Sequence, residues 1–418
     1  MRTINALKAL KNRWFISLLL LIQFTFGLSI ITGSINIFYN FFSLHNHSLL
    51  DLSSTYLLTS YDPTIKTYEE KFNTDQLNQI YDKIQKHKDV ISYGTYYDDK
   101  IPISTSTRTL NKKMLADLTT TIFGLNQPEI NAIVIDENYN RLLNLRIEEG
   151  KNFSKKSFTS KRSGKINILV GPYFKKYFHL GDVINNQYKI IGFLPKDKYI
   201  VNNNSTNTYL KLDKAAIIPM SQDIYNDYGN MFLRFHQSTV LKLRPNADID
   251  ALNQLVQLKG DTLKMYLKNL GQDIHQNITD STYSEIPQIL LGACFIFFSV
   301  TGIVMTTILS IIIRKREFGI KLILGESKSG LFYQIFLENL LIGIAGTILS
   351  LFYFIWKYQK LLKMSHDLNV VSVLDFKFNM PILFLVFLFL FIIILISNFV
   401  IFIFFKKLEP KSLIGGME

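Results

Sequence analysis

Four long apolar runs constrain this chain more than any other feature of its sequence. Residues 381–405 contain 25 residues without a single charge, and about 20 predominantly apolar residues already cross the hydrocarbon core of a bilayer. Similar runs occupy 14–42, 287–313 and 331–356. At about 1.5 Å rise per residue, each is roughly 38 Å or longer when helical, enough to cross with some tilt. The expectation is a membrane protein with four spanning helices. Only 19% of the 418 residues are charged and 33 are Phe, which excludes a disordered chain. The first run follows Arg2, Lys8, Lys11 and Arg13 in the manner of a signal peptide. It is far longer than an h-region of about 7–15 residues and lacks a small-residue cleavage site after it, so a retained helix is expected.

The charge distribution orients these helices. The net charge is +13, yet the stretch 44–286 holds 30 Lys and Arg against 26 Asp and Glu, leaving 16 against 7 for the remainder. That excess flanks the spans: the four N-terminal cations, then Arg314, Lys315, Arg316, Lys321 and Lys328, then Lys406, Lys407 and Lys411. Loops rich in Lys and Arg stay in the cytoplasm. Both termini and the loop 314–330 are therefore expected inside, with the large segment 44–285 and a short loop 357–380 outside. The basic balance is read as helix orientation and contact with anionic lipid, not as nucleic-acid binding.

The only cysteine, Cys294, lies within the second span, so the external segment has no disulfide and depends on its own core. Its pattern is mixed α/β. A helix is expected through Leu77, Ile80, Tyr81 and Ile84, capped by Asn73 or Thr74, and strands at 130–135, 166–170, 188–194, 215–219 and 231–235. Short helices are expected at 137–145 and 173–177. A strand at 241–244 and a helix at 250–258 form a unit that pairs with the early helix, giving two subdomains.

Catalytic chemistry is poorly represented. His45 and His47 have the spacing of a metal pair, but no third ligand is in view and a solvated turn is expected. His87, His179, His236 and His275 are scattered. There is neither a nucleophile elbow nor a His-Glu-x-x-His helix, and Gly325-Glu326-Ser327-Lys328-Ser329-Gly330 lacks the spacing of a phosphate-binding loop. No metal or directly bound cofactor is expected. Glu338 is the one acidic residue inside a span, where a carboxylate is costly unless paired. Contact with the basic loop is favoured over a proton-coupled site, while Gly343 and Gly346 permit close helix approach.

In helical projection Arg314, Glu317 and Lys321 share a side, with Phe318 and Leu322 one turn apart beside them. Such a surface suits docking, and a solvated basic stop after the span is the competing reading. The run Arg314-Lys315-Arg316-Glu317-Phe318-Gly319-Ile320-Lys321-Leu322-Ile323-Leu324-Gly325, followed by Glu338, Gly343 and Gly346, closely resembles the signature of the FtsX-like permeases, membrane subunits of MacB-type ABC systems. Phe318 and Ile323 replace the commoner Ile and Ala. Leu408-Glu409-Pro410-Lys411-Ser412-Leu413 is similar to the family's Pro-x-x-Leu ending. Outside, Ile133-Val134-Ile135-Asp136-Glu137, Glu149-Gly150, Leu169-Val170-Gly171, Leu180-Gly181-Asp182 and Ile190-Ile191-Gly192-Phe193-Leu194 resemble the MacB-like core domain. Little is recognisable over 44–130.

The resemblance implies four transmembrane helices with a large mixed α/β extracytoplasmic domain between the first two, in a bacterial plasma membrane. It divides the chain into 1–43, 44–285, 286–313, 314–330, 331–356, 357–380, 381–405 and 406–418. It implies a non-catalytic permease. ATP and Mg would bind a separate cytoplasmic ATPase dimer, docked through Arg314, Lys315, Arg316, Glu317, Phe318, Gly319, Lys321, Leu322 and Gly325. A second permease chain is implied as well, with an adaptor of membrane-fusion type or another external protein among the further partners. Nucleotide-driven motion would reach the external domain for export of peptides, antimicrobials, drugs or lipoproteins. The alternatives are switching an external cell-wall hydrolase or sensor without transport, and a receptor lacking any ATPase.

Overall fold

The computed structural model describes residues 6, 10–12, 14–60, 74–103, 111–119, 127–159, 164–204, 207–225, 234–235, 238–257, 265–367 and 380–407. Along the chain come α1 (Trp14–His47), β1 (Thr55–Ser60), α2 (Thr74–Lys86), β2 (Val90–Pro102), α3 (Lys112–Leu118) and β3 (Glu129–Ile135). Next are α4 (Glu137–Leu143), β4 (Glu149–Gly150), α5 (Lys156–Thr159), β5 (Ile166–Val170), β6 (Val183–Ile184) and β7 (Tyr188–Phe193). Then follow β8 (Tyr199–Asn204), β9 (Asn207–Lys211), β10 (Ala215–Pro219), α6 (Gln222–Tyr225), β11 (Thr239–Leu243), α7 (Ile249–Leu255) and β12 (Met265–Asn269). The chain closes with α8 (Leu270–Ile313), α9 (Lys315–Ile323), α10 (Lys328–Asp367) and α11 (Met380–Lys407). The chain divides into two compact units: 40–278 with 363–375, and the remaining residues.

Among the described residues, the second of these units contains four stretches apolar enough to span, Trp14–Asn36, Ile289–Ile313, Lys328–Lys357 and Met380–Ile403. They pack through a core that includes Phe24, Leu28, Ile303, Ile335 and Ile394. Small residues set the closest approaches: a methyl added at Gly346 would lie 2.8 Å from Phe24 Cβ, and one at Gly343 would lie 2.7 Å from Ile394 Cδ1. Thr307, Asn339 and Asn398 form a buried hydrogen-bonded chain linking α8, α10 and α11.

Several expected boundaries move. The loop expected at 357–380 is helical as far as Asp367, where α10 ends, and 368–379 lie outside the described residues. The helix containing the second span does not start at Pro287; it begins at Leu270 and runs through that proline. A proline inside a helix removes one N–H and crowds the carbonyl four residues back, a cost of about 3 kcal/mol that the rest of this 44-residue helix offsets. Likewise His45 and His47 belong to the last turns of α1, not to a solvated turn. Among the described residues no cluster of three His, Cys, Asp or Glu is placed to hold a metal ion.

The external unit is built on one mixed ten-stranded sheet, ordered β12-β1-β11-β2-β3-β10-β5-β7-β4, with β6 on β7. β3 with β10 and β5 with β7 are parallel, and the other pairs antiparallel. Side chains alternate faces along each strand. One face carries a continuous core that includes Leu57, Tyr96, Ile133, Leu169, Ile217 and Val240. The other carries two: Leu58, Leu241 and Leu243 with α2 and α7, and Val134, Ile168, Val170 and Ile218 with Phe174. The β11-α7 unit does pack with the early helix, but the division into halves appears on one face only, because β2 belongs to both. Local signals are satisfied: the Asp136 carboxylate accepts from Tyr139 N–H at the start of α4, and Asn144 ends that helix in the left-handed region. Of the strand expected at 231–235, residues 231–233 lie outside the described residues and Arg234 and Phe235 are helical. The C-terminal motif at 408–413, Asn73 and His236 also lie outside them.

Candidate functional site

The site grows out of the end of α8. Arg314 leaves helical geometry for one residue (φ −90°, ψ 13°), and α9 starts immediately after it. At the other end Leu322 O accepts from Gly325 N–H (3.1 Å) and Lys321 O from Glu326 N–H (2.9 Å). This is the Schellman pattern, which requires a left-handed residue just past the helix. Gly325 supplies it at φ 95°. A Gly at this point of the sequence therefore fixes where α9 ends.

Within the turn, polar groups close a ring. The Arg314 guanidinium donates to both Glu317 oxygens, Nε to Oε2 at 2.9 Å and Nη2 to Oε1 at 3.0 Å. Its Nη1 donates to Glu338 Oε1 at 3.2 Å. Lys321 Nζ reaches Glu317 Oε1 at 2.9 Å and Gln334 Oε1 at 3.2 Å. Gln334 Nε2 donates to the same Glu338 oxygen at 3.3 Å and completes the circuit. Phe318 lies beneath, its ring centroid 4.8 Å from the Arg314 guanidinium carbon. Glu338 and Gln334 are both 2% exposed, and the cation beside Glu338 answers the cost of a buried carboxylate. The Arg314 hydrogen bonds pull the Glu317 carboxyl down to about 2 against the opposing effect of burial. Burial works against the charge on Arg314, but its bonds to Glu317 and the neighbouring Glu338 outweigh that and raise its pKa.

Arg314, Glu317 and Lys321 thus share a side as expected, and Glu338 meets the basic loop. Phe318 and Leu322 differ from the sequence reading. Phe318 is 1% exposed and Leu322 packs partly buried with it in the helix core, so neither lies on an accessible docking surface. An apolar ring beneath a charge ring is protected by facing the bundle. Gly319 is buried too, Lys315 lies in the first turn of α9, and Gly325 is exposed. The outward face is instead Arg316, Ile320, Ile323 and Leu324, spaced four, three and one residues apart. Its three apolar members are 51, 67 and 79% exposed. Their spacing is readable in the sequence, but Phe318 and Leu322 offer an equally apolar face on the same helix, and the sequence alone does not say which face meets the bundle. Gln334 carried no signal, because its role depends on two separate helices.

Comparison with known proteins bears on these observations directly. The MacB-like periplasmic core domain family matches residues 17–258, and the FtsX-like permease C-terminal family matches 289–410. No curated relative matches the sequence. Among solved structures, the extracellular domain of the noncanonic ABC-type transporter YknZ from Gram-positive bacteria is 13% identical, with a TM-score of 0.32, covering 51% of this chain and 100% of that one. The periplasmic region of MacB from Actinobacillus actinomycetemcomitans is 13% identical, with a TM-score of 0.34, covering 54% and 93%. A domain of a putative permease from Porphyromonas gingivalis is 10% identical, with a TM-score of 0.31, covering 52% and 90%. The two family matches, which between them leave little of the sequence outside, carry the assignment: this chain belongs to the FtsX-like ABC permeases with a MacB-like core domain.

Proposed function

We propose that this chain is the permease subunit of a MacB-type ABC system and that a separate cytoplasmic ATPase dimer, which binds ATP and Mg, docks on the outward face of α9. The carrying observation is the pairing of two features on one short helix. An exposed apolar strip, Ile320, Ile323 and Leu324, backs onto a closed ring of ion pairs and hydrogen bonds that fixes the helix to α10. The strip is the kind of surface a protein partner covers, and the ring makes α9 move with the helices behind it. Arg314, Lys315, Arg316, Glu317, Phe318, Gly319, Lys321, Leu322 and Gly325 then act in coupling, Phe318 and Leu322 from inside. Glu338 holds the ring, while Gly343 and Gly346 keep its helix close to its neighbours.

In this reading a second permease chain, identical or related, presents the second docking helix. ATP-driven approach of the ATPase subunits shifts both helices, and the motion reaches the external domain by way of α1 and α8. The 44 residues of α8 amount to about 66 Å of helix. Export of peptides, antimicrobials, drugs or lipoproteins is the use we assign, from a bacterial plasma membrane with the termini inside. The test is purification with the ATPase in lipid nanodiscs. Ile320→Glu together with Leu324→Glu should abolish co-purification and stimulation of ATP hydrolysis in a folded chain. Unchanged stimulation would overturn the docking assignment. A wild-type complex that hydrolyses ATP yet moves no peptide or lipoprotein would favour the regulator reading.

A further inference from the structure

The external domain contains a buried polar seam that the transport reading does not use. On the face with two separate cores, β2 presents Tyr93, Thr95 and Tyr97 in succession. Tyr93 belongs to the α2 and α7 core, Tyr97 packs on the other, and Thr95 lies between them. Across the ladder Thr95 pairs with Thr239, whose hydroxyl is 2.9 Å from Tyr81 Oη and donates to Arg234 O at 2.8 Å. Thr95 Oγ1 donates to Asp136 Oδ2 (2.7 Å) and accepts from Arg234 Nη1 (3.3 Å). Arg234 also donates to Met220 Sδ and to Tyr225 O, whose ring its guanidinium covers at 4.3 Å. Asp136 and Arg234 are 4 and 2% exposed.

The backbone changes partner at the same place. Residues 90–95 of β2 pair with β11, while Tyr96 onward pairs with β3. Thr95 N–H donates not to a strand carbonyl but to Asp136 Oδ2, at 3.0 Å. A buried charged relay seldom stabilises a fold more than apolar residues of the same shape would, and burial pushes the Asp136 carboxyl up to about 6 despite its hydrogen bonds. What a polar seam allows is separation on this face: its groups accept water when exposed, while the continuous core on the opposite face stays packed and acts as the pivot.

We propose that this seam is a hinge line, with the β12-β1-β11 half of the sheet flexing against the β3-β10-β5-β7-β4 half about Thr95 and with Arg234 as the latch. Strands inside a sheet ordinarily exchange their amide hydrogens only through global unfolding, so the hinge has a distinct readout in hydrogen–deuterium exchange of the full chain in nanodiscs. Amides of 93–97 and 239–241 should exchange at least about tenfold faster than those of β3 and β10, as a sub-global opening does. The triple variant Thr95→Val, Asp136→Asn, Arg234→Met removes the relay hydroxyl and both charges while the amide carbonyl introduced at position 136 still accepts at the N-terminus of α4; it should close that gap, with thermal unfolding as the check that the chain is folded. Equal exchange of seam and flanks in the native chain would overturn the hinge, as would an unchanged gap in the variant. Should the triple variant fail to fold, Arg234→Met alone, which removes the latch, takes its place: it should widen the gap, and an unchanged gap would overturn the hinge.

Discussion

Arg314 divides one guanidinium between an exposed carboxylate and a buried one, and the two partners make different demands of it. Glu317 takes two parallel hydrogen bonds, a geometry that a lysine cannot reproduce. Glu338 sits in the core of α10, where Gln334 donates to the same oxygen as the guanidinium. Arg314→Lys and Glu338→Gln are each expected to destabilise the chain by about 1–3 kcal/mol, measured as thermal unfolding in detergent, and to weaken ATPase stimulation. If Glu338 instead carried protons, Glu338→Gln would remove the pH response of transport, which is the outcome that would reassign it. Glu317 has its pKa lowered from 4.5 to about 2, so its contribution is present above about 4.5 and is lost as pH falls towards 2. Because the side chain is largely exposed, Glu317→Gln should cost under about 1 kcal/mol at pH 7. The difference from wild type should shrink across that acid window in pH-dependent unfolding.

At the scale of elements, two glycines separate two kinds of constraint. Gly325 has nothing within 4 Å of an added methyl but a positive φ; Gly346 has ordinary helical geometry but Phe24 in the way. Gly325→Ala should therefore cost about 1–2 kcal/mol from backbone strain alone and fray the end of α9. Gly346→Ala should cost about 1–3 kcal/mol from overpacking. Trimming Phe24 to Leu should not rescue Gly346→Ala, because the clash is with Phe24 Cβ; unfolding of the single and double variants checks this. The spans and five of the twelve described strands, β3, β5, β7, β10 and β11, were legible because their apolar runs state them directly, as in Ile130 to Ile135, whereas β1, β2, β8, β9 and β12 were not foreseen. Helix ends were not: 270–286 is polar and becomes helical only by continuing into an apolar span. Which way Phe318 faces was also hidden, since a single helix projection does not say which side meets the bundle.

For the molecule as a whole, the membrane helices and the sheet place different burdens on one polypeptide. In the proposed division of labour ATP turnover belongs to the partner, so the purified chain is expected to show no ATP hydrolysis of its own, assayed in nanodiscs with and without the partner ATPase. Turnover by the chain alone would remove the basis of the coupling proposal. The overall class, including the external α/β insertion, was readable from charge and motif order. The ten-stranded sheet was not, because β2 pairs with β11 along one part of its length and with β3 along the other, joining strands distant in the chain, and such pairing leaves no local trace.

The first and last strands of the external sheet, β1 and β12, lie hydrogen-bonded side by side, Tyr56 opposite Asn269 and Leu58 opposite Leu267. Whatever lies between them leaves and returns through a single doorway, as insertions tolerated by a host scaffold do. The domain is thus organised as an insertion with one entrance, whose contents can change without moving the pair of strands through which the chain enters and leaves it.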